Sequence, residues 1–139
     1  RTDVRIAAGE SDLTAFAFRD LIEGRVVDLL QPDLSWVGGL TEGRRIVEMA
    51  RLANIPLVPH NWGTAINFAA SIHLAMATPN CHILEVSQGY MPMMYELFQE
   101  PFDVRDGMVH APQGPGLGFT LREDTIERFQ YVEGPDYLF

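Results

Sequence analysis

Up to Glu85 the chain alternates short, continuous apolar runs with longer stretches whose apolar residues recur at helical spacing. Val4 to Ala8 reads as a strand ending at Gly9-Glu10. Ser11 and Asp12 then offer a helix start, Ala15 to Ile22 supplies the helix face, and Gly24 is placed to stop it. Val26 to Leu30 is the next strand, ending at Gln31-Pro32-Asp33. A loop from Ser35 to Gly39 leads to Thr41, a candidate cap for a helix that buries Ile46, Val47, Met49, Ala50 and Ala53 and stops at Asn54. Ile55 to Pro59 is a third strand, ending at His60. Asn61-Trp62-Gly63 turns into a helix with Ala65, Phe68, Ala69, Ile72 and Ala75 along one side, broken at Thr78-Pro79-Asn80. Cys81 to Leu84 is a fourth strand, ending at Glu85.

The order is βαβαβαβ, and strands that read as unbroken apolar runs are covered on both faces, as in parallel α/β sheets. A polar residue closes every strand: Glu10, Asp33, His60 and Glu85, at separations of 23, 27 and 25 residues. The uniform units favour the C-terminal half of a TIM-type (β/α) barrel over an open doubly wound sheet, whose ligand would sit at one switch point. Four strands do not close a barrel, so further strands are expected ahead of Arg1, where the chain opens without Met. Residues 1–100 are thus expected to form the last four βα units, and 101–139 a separate C-terminal segment. In that segment Ala111 to Gly118 reads as a Pro/Gly-rich loop, and Leu121 to Phe129 as a short helix capped near Thr120, followed by a tail.

Composition narrows the function classes. The net charge is −9, and all ten basic residues are Arg. An acidic surface without a basic stripe argues against nucleic acid or an anionic membrane as partner. Cys81 is the one cysteine, so no intramolecular disulfide and no four-cysteine zinc site is expected. No apolar stretch approaches the roughly 20 residues that span a bilayer, and no signal-peptide pattern opens the chain. Cytoplasm is the default location.

Carboxylates and a histidine gathered at one barrel mouth could bind a hard cation such as Mg²⁺ and perform acid–base chemistry. Removing a proton next to a carboxylate generates an enediolate, which a metal and a hydrogen-bond donor stabilise. Ala8-Gly9-Glu10, Leu30-Gln31-Pro32-Asp33 with Gly38-Gly39, Pro59-His60 and Ile83-Leu84-Glu85 occur in that order. Together they resemble the last four barrel strands of the enolase superfamily, of the mandelate racemase/muconate lactonizing enzyme type. Pro112 to Gly118 resembles the loop that closes such chains, and the resemblance implies that 101–139 packs back on the barrel or on a capping domain.

The resemblance implies roles position by position. Glu10 would be a Mg²⁺-binding carboxylate. His60 would take or give a proton, with Asp33 orienting it. Glu85 would hydrogen-bond the substrate carboxylate or its enediolate. Two further metal carboxylates and a second base would lie upstream, so this portion alone is expected to bind metal poorly and to be inactive. The expected partner is a small carboxylate substrate, an acid sugar or 2-hydroxy acid, and the assembly a homo-oligomer.

Simpler roles exist for each residue. Glu10 could sit near a helix N-terminus. Asp33 could cap the turn after Pro32, His60 could be a satisfied loop histidine, and Glu85 a surface carboxylate. His73, His82 and His110 read as structural or peripheral, and Cys81 as a small packed residue. Met91, Met93, Met94, Phe98 and Phe102 read as packing, Asp103 to Asp106 as a solvated turn, and Trp36 and Trp62 as walls of the substrate site. The leading functional expectation is an acid-sugar dehydratase. A racemase or epimerase on the same residues is the alternative, and a non-catalytic α/β ligand-binding domain the rival from another class.

Overall fold

Backbone hydrogen bonds in the computed structural model, which describes residues 3–133, tie the expected strands together in chain order. The expected tail beyond 133 and the opening Arg1-Thr2 lie outside the described residues. β1 (Ala7–Ala8) pairs in parallel with β2 (Leu29–Leu30), Ala7 opposite Leu29 and Ala8 opposite Leu30. Leu30 forms a parallel bridge to Leu57. The Leu30 and Val58 N–H groups donate to Pro56 O and Leu30 O, at 3.1 and 2.9 Å. Leu57 N–H donates in turn to Asn80 O at 3.0 Å. The four segments therefore run side by side in sequence order. They pair over fewer residues than the apolar runs suggest, and residues 81–88 carry no strand pairing.

Helices cover this sheet. α1 (Thr14–Gly24), α2 (Leu34–Val37), α3 (Gly39–Leu52) and α4 (Ala65–Met76) pack as α1 on α3, α2 on α3, and α4 on both α2 and α3. The core between them and the strands holds Phe18, Leu30, Val37, Ile46, Ala50 and Leu57, each essentially inaccessible to solvent. Complete burial of the Phe, Leu, Val and Ile side chains among them contributes about 1.5–3 kcal/mol apiece. β1 is the edge of the sheet, so Val4, Ile6, Ala7 and Ala8 are exposed rather than covered on both faces.

Helix ends depart from the expected caps. Neither Ser11 nor Asp12 caps α1; its Ala15 N–H is taken by Glu42 of α3, at 3.0 Å. Gly24 is the last helical residue, and Arg25 (φ 45°) adopts the left-handed turn. α2 occupies what reads as loop, and α3 starts at Gly39, leaving Thr41 inside the helix instead of capping it. Asn54 (φ 55°) turns the chain after α3 as expected.

A second core follows α4. α5 (Pro92–Tyr95) and the segment after it place Met94, Leu97 and Phe98 in the interior. The Phe102 ring meets Phe68 of α4 edge-on, at 4.7 Å between centroids, and Phe98 stacks on Phe119 at 4.7 Å and 4°. Met91 and Met93 pack against these clusters. Residues 103–106 are part of a hairpin rather than a plain turn: β3 (Val104–Arg105) pairs antiparallel with β4 (Met108–Val109). Asp106 and Gly107 both have positive φ (53° and 73°), the geometry of a two-residue primed turn. α6 (Glu123–Arg128) is preceded by Arg122; Thr120 does not cap it, but binds Glu100 through its N–H and hydroxyl. Among the described residues no helix is long and apolar enough to cross a membrane.

Candidate active site

The parallel ladder carries Glu10, Asp33 and His60 to one end of the sheet. Gln31 N–H donates to Ala8 O at 2.9 Å and His60 N–H to Pro32 O at 3.1 Å, which keeps the three strand ends in register. Gly9 makes the turn that presents Glu10. Its φ is 123°, and a Cβ there would stand 2.9 Å from the Phe18 ring, so both conformation and space call for glycine.

Asp33 sits at the centre. It is 1 % exposed. One carboxylate oxygen accepts from Ser35 N–H at 2.8 Å and from the Ser35 hydroxyl, capping α2. The other meets His60 Nδ1 at 2.8 Å and accepts from Asn67 Nδ2 at 3.2 Å. Asp33 is therefore both the cap of a turn and the partner of the histidine.

His60 is held at both ends of its ring. Asp33 offers an acceptor, so Nδ1 carries the proton of the neutral ring and Nε2 is left with a lone pair. Nε2 turns toward Glu10, 3.6 Å from its Oε2. Glu10 is not in the first turn of α1, and among the described residues it makes no hydrogen bond; its side chain is 61 % exposed. Glu10, Ser11, Asp33, Trp36, His60 and Trp62 line one cavity of about 490 Å³. Trp36 and Trp62, 60 % and 62 % exposed, form apolar walls beside the polar centre.

Glu85 stands apart. It is half-buried and does not line this cavity. Its carboxylate accepts from Asn61 N–H at 3.0 Å, and the Asn61 side chain donates to Glu85 O at 3.0 Å. Glu85 thus fixes the turn that follows His60. Of the four strand-end residues, three converge on the cavity and the fourth supports one of them.

Asn67 and Ser35 were not singled out on sequence grounds. Asn67 lies on the buried side of α4 among Ala65, Phe68, Ala69 and Ile72, and a polar residue in such a face, as Ser71 also is, is the signal that could mark it.

The donor set bears on a metal. Among the described residues no group of three or more His, Cys, Asp or Glu side chains is arranged to hold an ion. Glu10 fits as a single ligand: a free carboxylate at the rim, of the oxygen type that hard divalent cations prefer. The remaining histidines lie elsewhere. His73 Nε2 is 3.1 Å from Leu117 O, and His110 accepts from Arg105 Nε. Cys81 is half-buried and donates to Ile83 O; burial pushes its thiol above the ordinary value, which favours the protonated form.

Comparison with known proteins places the chain in a family. Residues 1–125 match the family described as enolase C-terminal domain-like. A D-xylonate dehydratase of Haloferax volcanii is 37 % identical over 133 residues, which are 96 % of this chain and 32 % of that protein. A D-galactarolactone cycloisomerase of Agrobacterium fabrum is 31 % identical over 135 residues, 91 % of this chain and 36 % of that protein. The structure of an enolase-superfamily member from Polaromonas sp. JS666 superposes with a TM-score of 0.86 at 38 % identity, covering 98 % of this chain and 36 % of the other. The chain spans about a third of the length of the curated relatives it matches.

Proposed function

Because this chain belongs to the enolase C-terminal domain-like family, with the fold of part of that family's β/α barrel, we propose that it supplies the proton-transfer side of an acid-sugar dehydratase. The observation that carries the reading is the His60 ring. It is bound through Nδ1 to buried Asp33 and turns Nε2 toward a carboxylate in an open cavity. A ring oriented this way is a general acid–base group with one free nitrogen.

In the proposed reaction the substrate carboxylate lies beside Glu10, with its carbon chain between Trp36 and Trp62. A base breaks the α C–H bond, and the electron pair moves onto the carboxylate as an enediolate. The enediolate then re-forms its carbonyl, the pair moves into the α–β bond, and the β C–O bond breaks. His60, protonated at Nε2, gives its proton to the departing oxygen, so that water leaves and an enol remains that tautomerises to a 2-keto acid. Asp33 holds the ring through the transfer and stabilises its charged form. Mg²⁺, with Glu10 as one of its ligands, would supply Lewis-acid stabilisation of the negative charge that develops on the substrate. Glu85 fixes the loop at Asn61; the proposal keeps it as a hydrogen-bond partner of the substrate carboxylate only if its carboxyl is protonated and the substrate extends past the cavity lining. A racemase or epimerase would use the same His60 as the base for one face.

The test is product formation by the intact enzyme on a panel of acid sugars, D-xylonate and D-galactonate among them, with Mg²⁺ or with EDTA. A 2-keto acid formed with Mg²⁺ and lost with EDTA supports the reading. Inverted substrate without keto product assigns a racemase instead. No turnover, with Mg²⁺ binding indifferent to Glu10→Gln, points to a binding domain.

A further inference from the structure

Asn67 has an orientation that chemistry dictates. Its Nδ2 lies 3.2 Å from Asp33 Oδ2 and 3.4 Å from the His60 carbonyl oxygen. Both partners are acceptors, so the amide must present its NH₂ group and not its oxygen. The oxygen is then directed into the interior, where it is buried and meets no donor among the described residues. Asn67 is 5 % exposed, on the buried face of α4, which it shares with Ala65, Phe68, Ala69, Ser71 and Ile72. Burying an amide with one end unsatisfied is unfavourable, and an apolar residue of similar volume would pack there without that penalty.

We infer that Asn67 is a positioning residue that clips the Asp33 side chain to the His60 backbone. Its two N–H bonds reach the side chain of one strand end and the carbonyl of the next. They thereby join the two halves of the acid–base pair from a third element, α4. The bond to Oδ2 fixes the carboxylate rotation that Ser35 fixes at Oδ1. The bond to the carbonyl fixes the peptide from which the imidazole projects. The ladder bond from His60 N–H to Pro32 O holds the other side of the same residue. This inference rests on the proposed role of His60 and Asp33.

Three variants of the intact enzyme separate positioning from packing. Asn67→Leu keeps the volume and removes the donor. Asn67→Asp keeps the shape and sets a second carboxylate against Asp33. Asn67→Gln keeps an NH₂ group. With the acid sugar that the enzyme dehydrates, Asn67→Leu is expected to lower kcat by roughly tenfold with little change in KM, since a small misplacement of a reacting group costs rate and not affinity. Asn67→Asp is expected to fall further, and Asn67→Gln to recover part of the loss. The thermal midpoint of Asn67→Leu is expected to stay close to that of the unaltered enzyme, since removing the orphaned amide oxygen offsets the loss of the two bonds. A readout free of turnover is the low-field Nδ1–H resonance of His60, which is expected to exchange with water faster in Asn67→Leu.

Unchanged kcat and unchanged exchange in Asn67→Leu overturn the inference. A fall in kcat matched by a fall in thermal midpoint, with no rescue by Asn67→Gln, also overturns it and assigns a structural role. Asp33→Asn serves as the control. If Asp33→Asn lowers kcat and Asn67→Leu does not, only the clip is wrong. If Asp33→Asn is silent as well, the underlying reading of the pair fails.

Discussion

His60 Nδ1 lies 2.8 Å from a carboxylate oxygen of Asp33 that solvent cannot reach, while the opposite ring nitrogen faces Glu10 at 3.6 Å. One nitrogen is therefore spent on orientation and the other is left for chemistry. A histidine free to rotate would lose most of that advantage, because orientation is set before the substrate arrives. His60→Asn is expected to lower kcat by about 10²–10⁴-fold, the usual contribution of a general acid–base group. Thermal midpoint and Mg²⁺ affinity should stay near those of the unaltered enzyme. Steady-state kinetics and calorimetry check both halves. Retained turnover removes His60 from the mechanism.

Asp33 has two tasks that substitution can separate. It caps α2 through Ser35 and orients His60 through the other oxygen. Asparagine caps a helix about as well as aspartate, so Asp33→Asn should spare much of the cap while weakening the hold on the imidazole. Its kcat should fall nearly as far as that of His60→Asn. Asp33→Ala removes the cap too and should cost a further ~0.5–2 kcal/mol of stability. Denaturant unfolding of the two variants, set beside their rates, makes the comparison.

Gly9 controls where Glu10 points. An alanine there would meet the Phe18 ring while holding a backbone angle that side chains avoid. Gly9→Ala is expected to destabilise the fold by about 1–3 kcal/mol and to weaken Mg²⁺ binding by moving Glu10. Stability lost with Mg²⁺ binding unchanged would separate the turn from the carboxylate's role.

The strand ends were legible because each apolar run stops at a polar residue, and the parallel ladder keeps those stops level. The same logic placed Trp36 and Trp62 beside the cavity. Glu85 follows the pattern yet binds Asn61, because a register position says nothing of which way a side chain leans. Other features depend on contacts that spacing along the chain does not encode. The N-terminus of α1 is satisfied by Glu42 from another helix, so Ser11 and Asp12 misled. Arg25 takes a left-handed turn that Gly24 was placed to take. The hairpin at 104–109 did carry a local signal, the Asp106-Gly107 pair, which composition as a solvated turn obscured. Asn67 becomes visible only when α4 is known to face the strand ends.

Acid should loosen the C-terminal segment. Bonds from the Thr120 N–H and hydroxyl hold the Glu100 carboxyl below its ordinary value; Tyr90 and Arg128 do the same for Glu96. A carboxyl lowered on folding contributes stability that is present above its unfolded value and is lost as pH falls through the folded one. At neutral pH both contributions are complete. Below the ordinary glutamate range they fade, and Glu100→Gln should flatten that part of the stability–pH curve. Glu100 is exposed and Glu96 half-buried, so salt should weaken the Glu100 contribution more than that of Glu96. An unchanged acid limb in Glu100→Gln would remove the Thr120 contact from the account.

Conversion in D₂O reports on the proton transfers separately: the 2-keto acid takes up deuterium at C3, where the enol is protonated, and recovered substrate carries it at the α-carbon only where abstraction reverses. The intact enzyme, its His60→Asn variant and Mg²⁺ are incubated in D₂O with an acid sugar, and both remaining substrate and product are analysed by mass and NMR. The account predicts Mg²⁺-dependent conversion to a deuterated 2-keto acid by the unaltered enzyme and its loss in His60→Asn. Equal conversion by both proteins, or conversion indifferent to Mg²⁺, would contradict it.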